Sequence, residues 1–546
     1  MDFTDKILKQ YERLMAEQLN WRTLWQEIAD YIVPHKSYIV AVKSPGSKQT
    51  EKLFDSTAIH ANELLASSLG SAITPANAPW FTLRLRGIED TGDISRWLED
   101  CTKKTQTALN QSNFNTEIHE VYYDYGSFGI GALFCDEREV EVVGFNGLNF
   151  TSLPVGSYAI EENSEGKVNV LHRKFRISAR AAFSKWGKSL SEKSLQIYEK
   201  APEKMIPFLH AVYPTEKGNR AKEQKPFESV YIDFNGKHLI SKGGFYEFPY
   251  FVPRWSKSSG EVYGRGPGAT ALPDIKTLNK AKEYGFRAWA KAIDPPLLVK
   301  DDGVIGSVKT YASGINYVRD MGNIAQLESK ARFDVHAISK ADLQSSIRRI
   351  FFSDQLQLQE SPQMTATEAY IRYELMQRLL GPTLGRLESE LLTPLIERIF
   401  GLMFRAGIFP PPPEELRGQD IDIEYEGPLA KAQKSGTIMT MQKFFSAIGG
   451  IAQIDSQVFD NINLDAATRE IAGASGIPAT ILYGEKDVKR IRDLRTQAME
   501  KQKQMEEMQK MADMAGKAGK LLPAMKEMMP QGTEGIPAQG IEGRPA

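Results

Sequence analysis

The chain has 546 residues, 41% hydrophobic and 25% charged, and its 68 Lys and Arg nearly cancel 69 Asp and Glu. The length suffices for about three to four domains of core, and the composition is that of an ordinary globular protein. The charge balance excludes a protein that grips nucleic acid by overall charge, so any DNA contact must come from a local stripe.

Two cysteines, Cys101 and Cys135, are too few for a disulfide framework and fit a reducing compartment. Asp2, Asp5 and Lys6 stand near the start with no apolar stretch behind them, so no secretory signal is expected. No run of 18 apolar residues predicts a membrane span. The expectation is a chain made and used in a cytoplasm, or in something assembled there.

Leu14, Trp21, Trp25, Ile28 and Ile32 keep one face apolar and predict an amphipathic helix over the first forty residues, stopped by Pro34. A second helix follows Ser56 as N-cap, with Ile59, Leu64, Leu65 and Leu69 before Gly70 and Pro75. A third, from Asn115 to Tyr125, ends at Gly126, and Ile130 to Phe134 reads as a strand. From about 138 to 260 the pattern turns to short β runs: Val140 to Val143, Ser157 to Ile160 and Val168 to Phe175, with a turn at Asn163–Gly166. Val230 to Phe234, Asn235–Gly236, then His238 to Ile240 predicts a hairpin.

After Gly266–Pro267–Gly268 a helix runs to Ile293, ended by Asp294–Pro295–Pro296. A small β-like module follows, with Leu297 to Lys300, Asp302–Gly303 and Ile315 to Val318, and helix returns from about Ala337 to Phe352. Ser353 to Thr365 is polar and glutamine-rich, with Gln355, Gln357, Gln359 and Gln363. A long helix from Ala366 to Phe404 carries Pro382 and Pro394 as kinks. Pro410 to Pro413 is a stiff linker. Residues 480–525 read as a Gln/Met/Lys-rich helix, and the Gly/Pro-containing last twenty or so as disordered.

No motif calls for catalysis, a metal or a cofactor. His119–Glu120 begins a zinc-helix pattern, but position 123 is Tyr. Gly187–Lys188–Ser189 is like the end of a phosphate-binding loop, but Ala182 stands where that motif needs glycine, so a helix end is the better reading. Gly126, Gly129 and Gly131 precede a strand instead of following one, which fits tight helix-to-strand packing and not a dinucleotide fingerprint. Asp420, Asp422, Glu424 and Glu426 alternate with Ile421, Ile423 and Tyr425 like a half-exposed strand, unlike a calcium loop.

One charge pattern survives. At 100° per residue, Lys276, Lys280, Arg287 and Lys291 fall within an arc of about 60° on the helix 266–293. Ile275, Phe286, Trp289 and Ile293 cluster about a quarter-turn away, so one face should pack beside a basic one. Glu283 lies close to the basic stripe and weakens it.

The order of these parts resembles the portal (head-to-tail connector) proteins of short-tailed bacteriophages, the T7-like group in particular. Val262–Tyr263–Gly264–Arg265 leading to Leu272, Leu278 and Asn279 is similar to the family's approach to its stem helix. Thr365–Ala366–Thr367–Glu368–Ala369 with Arg372 resembles the opening of the family's long helix. Tyr425–Glu426–Gly427–Pro428–Leu429–Ala430 and Ala474 to Pro478 resemble C-terminal stretches, and Tyr11–Glu12–Arg13–Leu14 and Pro79–Trp80–Phe81 N-terminal ones. The resemblance spans more than 450 residues.

It implies a mixed α+β, multidomain portal fold: a helical stem, a small α/β clip, a mixed wing and a C-terminal helical crown or barrel. The wing is 1–265 and 367–480, the stem 266–293 and 334–352, the clip 294–333, the tunnel loop 353–366, and the crown or barrel 481–525, before a tail at 526–546. It further implies a ring, typically of twelve subunits, at a capsid vertex of the virion. Double-stranded DNA would pass through it without sequence reading. Its partners would be the large terminase, a tail adaptor, and the major capsid and scaffolding proteins, with no membrane. Lys276, Lys280, Arg287 and Lys291 are then the candidate channel residues, and Gln355, Gln357, Gln359 and Gln363 the candidate loop residues. Two other classes compete: another virion component such as a tail tube or adaptor, and a DNA-processing enzyme subunit, which would need clustered acidic ligands or a phosphate loop.

Overall fold

The apolar spacing at the N-terminus produces two helices, α1 (Phe3–Glu17) and α2 (Leu19–Ile32), where one is expected. The break falls at the buried Gln18, whose amide nitrogen donates to the Tyr158 carbonyl and to Tyr263 Oη, both at 2.9 Å. Buried polar groups are usually hydrogen-bonded; the Gln18 nitrogen finds its partners on distant segments, whereas its amide oxygen has none among the described residues. Beyond α2, Pro34 opens a 3-10 turn.

The computed structural model describes residues 3–40, 46–51, 53–76, 78–85, 92–138, 144–215, 225–293, 297–299, 304–305, 307, 317–318, 324–326, 333–356, 380–416, 421–425, 440–449, 462–474, 483 and 485–526. The chain divides into two units, 1–90 with 94–477, and 91–93 with 478–546. The expected strand Val140 to Val143, the turns at 294–296 and 302–303, and the tail 527–546 lie outside the described residues.

Helix α3 (Thr57–Ile73) follows Ser56 as expected, but the capping oxygen is that of Asp55, which accepts from Thr57 N at 2.7 Å. Helix α4 (Gly92–Asn110) is unanticipated, although buried Ile94, Trp97, Leu98, Cys101, Thr105 and Leu109 recur at helical spacing. Helix α5 (Phe114–Phe128) runs past Gly126 and stops at Gly129, which takes a left-handed φ of 79°. Gly126 lies within the helix, and a side chain there would meet Asn62 of α3, at 2.6 Å.

Strand β1 (Phe81–Leu85) pairs antiparallel with β14 (Ile421–Tyr425), the acidic–apolar alternation read above. The strand expected from Ile130 begins later, as β2 (Leu133–Glu137), with Ile130 held by an isolated bridge to Arg254. It is flanked by β3 (Leu148–Ser152) and β9 (Tyr250–Phe251). A five-stranded antiparallel meander joins β4 (Tyr158–Glu162), β5 (Val168–Ser178), β6 (Met205–Pro214), β7 (Phe227–Asp233) and β8 (His238–Phe245). The Asn163 turn and the β7–β8 hairpin stand where expected. Successive residues of β6 face opposite sides. Leu209 and Ala211 pack with Ile7, Leu8 and Tyr11 of α1, whereas Ile206 and Phe208 pack with Ala179, Ala182 and Leu190. Those last belong to a layer of α6 (Ala179–Trp186), a 3-10 turn at Gly187–Ser189, and α7 (Glu192–Lys200).

Two histidines are buried in this meander. His172 stacks on Tyr11 at 6.5 Å and has no hydrogen-bond partner on either ring nitrogen. His210 lies 2.5 Å from Tyr250 Oη and 2.9 Å from Ser229 Oγ. Burial, then the Arg13 charge, lowers His172 to about 4; burial, then Arg173, holds His210 well below the usual value. Both therefore stay neutral in the fold. The unfolded chain takes up protons near pH 6.5 and the folded one does not. Stability thus falls below that pH by about 1.4 kcal/mol per unit and histidine, until the folded group titrates. His172→Phe keeps the stacked ring and loses no hydrogen bond. It is expected to lose less stability than the wild type between pH 6.5 and 5 in denaturant titrations; equal losses would contradict this.

Helix α8 (Pro267–Ile293) and the returning α9 (Phe333–Ile350) pack together. Between them, β10 (Leu297–Val299) pairs with β13 (Ile324–Gln326), and β11 (Val304–Ile305) with β12 (Tyr317–Val318). At the end of α9, Phe352 takes a φ of 58°, uncommon for a bulky side chain. The buried Phe351 precedes it, and the Phe352 ring stacks 6.3 Å from Trp255. The long helix expected from Ala366 is described from residue 380. Its irregularity among the described residues is a π turn, Glu388–Leu392, directly before Pro394, which lies in the first turn of the next helix, Thr393–Arg405, where a missing N–H costs least. The second unit contains the helix Glu485–Lys526, with Leu494, Met499, Met505, Met508 and Met511 exposed.

Candidate nucleic-acid interface on helix 267–293

The first half of α8 is anchored by its own protomer. Ala271, Leu272, Ile275 and Leu278 are buried, and Asn279 Oδ1 accepts from Phe54 N at 2.8 Å and Asp55 N at 3.2 Å. Asp55 is ion-paired with Lys282 and accepts from Gln344 Nε2 of α9 at 2.9 Å. Hydrogen bonds from Lys282, Thr57 and Gln344 outweigh the burial of Asp55 and hold it below the usual carboxylate range.

The four stripe residues sit on one flank of this helix, and three of them have carboxylate neighbours. Lys276 Nζ lies 3.2 Å from Glu27. Lys280 and Arg287 both reach Glu283, at 2.9 and 2.6 Å. The hydrogen bond from Lys280 lowers the Glu283 carboxyl and raises the Lys280 ammonium. Lys291 is exposed, without an ion-pair partner among the described residues. The stripe is therefore weakly positive, as the position of Glu283 suggests.

The apolar face corrects the expectation that it packs. It continues the line of Ile275 and Leu278, but Phe286, Trp289 and Ile293 are 53%, 58% and 70% exposed. The protomer's own core ends near Lys282, so the same residue types that are buried below it stand open above it. Gln355 falls in a helical turn, Ser353–Leu356, where a polar loop is expected; Asp354 accepts from Arg348 Nε at 3.2 Å, and Ser353 is buried. Gln357, Gln359 and Gln363 lie outside the described residues.

The sequence reading misses a buried ion cluster. Arg254 donates to both Glu390 oxygens, at 3.1 and 2.6 Å, to the carbonyls of Val262 and Gly166 at 3.0 Å, and to Glu162, which Lys257 also holds at 2.7 Å. Its carboxylate partners come from the end of β4 and from the π turn, too far away in the chain for any local signal.

Among the described residues, no group of three or more His, Cys, Asp or Glu could hold a metal, and no helix is long and apolar enough to cross a membrane. Glu120, in the aborted zinc pattern, pairs with Lys36 at 2.7 Å. The Gly187–Lys188–Ser189 segment is the turn that ends α6.

Comparison with known proteins converges on one group. The probable portal protein of Bordetella phage BPP-1 and the portal protein of Salmonella phage epsilon15 are each 27% identical over 512 residues, 90% of this chain and 91% of theirs. The portal protein of Enterobacteria phage T3 is 22% identical over 483 residues, 86% of each chain. Residues 4–482 match the family described as bacteriophage head to tail connecting protein. The match takes in the sheets, the α8–α9 pair and the strands between them, and the chain belongs to the bacteriophage head-to-tail connecting protein family.

Proposed function

We propose that copies of this chain form a ring at one capsid vertex of a phage, the portal through which double-stranded DNA is packaged and later ejected. The observation that carries this reading is the open apolar line of Phe286, Trp289 and Ile293, which continues a buried face on the α8 stem. Exposed apolar clusters of this kind mark interaction sites, and a neighbouring stem in a closed ring covers the same patch on every subunit. The similarity to proteins named portal proteins supports the assignment.

In this reading 1–265 and 367–480 are wing, 266–293 and 334–352 stem, 294–333 clip and 353–366 tunnel loop, with twelve subunits. Lys276, Lys280, Arg287 and Lys291 become rings of sparse positive charge along the channel. Glu283 and Glu27 temper them, so phosphates are met without base readout and without a grip that stops movement. The glutamine-rich loop adds neutral polar groups beside the DNA. The chain does no chemistry of its own: a terminase supplies the work from the clip side, and the tail adaptor later takes its place.

Lys280→Glu with Arg287→Glu is expected to leave rings intact and to lower the DNA packaged per capsid. Normal packaging by that variant would remove α8 from the channel lining. Deleting residues 355–359 is expected to impair packaging or retention more than assembly; loss of rings would give that segment a structural role instead.

A further inference from the structure

We propose that the α6–α7 layer is a second polyanion-binding surface, suited to the phosphate backbone of nucleic acid and separate from the stripe on α8. Residues 167–204 contain ten Lys and Arg against three Glu, in a chain whose totals are 68 and 69. Six of the ten, Arg180, Lys185, Lys188, Lys193, Lys200 and Lys204, lie on α6, α7 and the turns beside them, and Lys167, Arg173, Lys174 and Arg176 belong to β5 and the turn before it. Ala179, Ala182, Phe183, Trp186, Leu195 and Tyr198 face the meander. Arg180, Lys185, Lys188, Lys193, Lys200 and Lys204 are exposed.

Arg180 pairs with Glu203 at 2.6 Å, and Lys185 sits over the rings of Trp186 and Tyr231 at 5.8 and 5.9 Å. Lys188, Lys193, Lys200 and Lys204 have no carboxylate partner among the described residues. Glu192 and Glu199 share the outer face of α7, each one residue before a lysine, and neither pairs with it. Lys193 and Lys200 are seven apart and so stand on one line of α7, two turns from each other. Ser184, Ser189 and Gln196 are exposed between the charges and add neutral hydrogen-bond donors.

A protein partner of standard size needs buried apolar anchors at the centre of its contact. This layer turns its aromatic rings inward; Phe183 and Tyr198 stack at 4.2 Å, and Trp186 packs 4.8 Å from Phe208. The one large apolar residue exposed nearby is Met205, at the first position of β6. The surface therefore offers cations and donors without anchors, which suits contacts to phosphate that carry no sequence information. It does not depend on the ring reading, because each protomer carries the whole surface.

The test uses the full-length protein and a fluorescein-labelled duplex of about 30 base pairs, titrated by anisotropy across a salt series. The variant carries Lys188→Glu, Lys193→Glu, Lys200→Glu and Lys204→Glu, with circular dichroism to check its fold. Its affinity is expected to fall at least about tenfold, and its salt slope to flatten by about 3 to 4, near 0.9 per lost contact. The four Lys→Gln changes, for use if the glutamates disturb folding, should give a smaller loss of the same sign. An unchanged affinity and slope overturns the proposal, whether or not Lys280→Glu with Arg287→Glu then weakens binding. So does a variant that keeps its duplex affinity but no longer binds poly-L-glutamate, which would assign the layer to acidic polypeptides. Either failure leaves ring assembly untouched, so it is distinguishable from failure of the portal reading.

Discussion

Arg254→Ala is expected to destabilise the first unit by about 3–5 kcal/mol, the range for breaking a buried ion pair by deleting one partner. Arg254 is 1% exposed. Burial alone would lower its affinity for the proton, but the hydrogen bonds it donates to Glu390 and Glu162 more than offset this and hold it above its ordinary value. Its guanidinium and its backbone N–H together satisfy Glu390, the N–H at 2.9 Å. Without the side chain, Glu390 keeps only that N–H among the described residues, while the carbonyls of Val262 and Gly166 lose the donors Arg254 supplies. Glu162 fares better, since Lys257 still reaches both its oxygens at 2.7 Å. Lys257→Ala should therefore cost much less, about 1 kcal/mol. Denaturant midpoints followed by tryptophan fluorescence check both, with Trp255 adjacent to the cluster as the reporter. A loss under about 1 kcal/mol for Arg254→Ala would show that the cluster contributes little.

The second large effect is expected at Gly129. A Cβ there would stand 2.1 Å from Gly266 N and 2.4 Å from the Arg265 carbonyl carbon. The φ of 79° penalises any other side chain besides. The crowding is mutual: a Cβ on Gly266 would meet Gly129 Cα at 2.8 Å, and one on Gly268 would meet Ser127 O at 2.1 Å. The end of α5 is thus pressed backbone-to-backbone on the start of α8, and the Gly129 carbonyl accepts from Trp255 N at 2.9 Å. Overpacking and left-handed strain together put Gly129→Ala at about 3 kcal/mol or more, visible as low soluble yield and an early denaturant midpoint. Gly385→Ala is the control. It lies exposed in helical backbone with nothing within 4 Å, so alanine there should be neutral or stabilising by up to about 1 kcal/mol. Similar losses at both sites would contradict the crowding account.

Both effects mark where the sequence is legible and where it stops. Gly126, Gly129 and Gly131 point to close packing because a helix-to-strand junction needs small residues, but which backbone presses on Gly129 is set by residues more than 130 positions later. The β7–β8 hairpin and α8 follow from local turn chemistry and period, and they form as read. The break at Gln18 does not, because its partners Tyr158 and Tyr263 arrive from other segments. Helix α4 was legible in its apolar spacing and went unread.

The candidate site divides in the same way. Glu283 lies three residues from Lys280 and four from Arg287, so its neutralising role follows from helix geometry. Glu27 does not, since it reaches Lys276 across 249 positions. The periodicity of Ile275, Phe286, Trp289 and Ile293 says that a face is apolar and nothing about what covers it. In the fold the lower part is covered by the protomer and the upper part is open.

That open face makes the central claim directly testable. Electron microscopy of the purified full-length chain is expected to show closed rings with a central hole, with twelvefold averages among them. A stable monomer at high protein concentration, with no rings in any field, would contradict it.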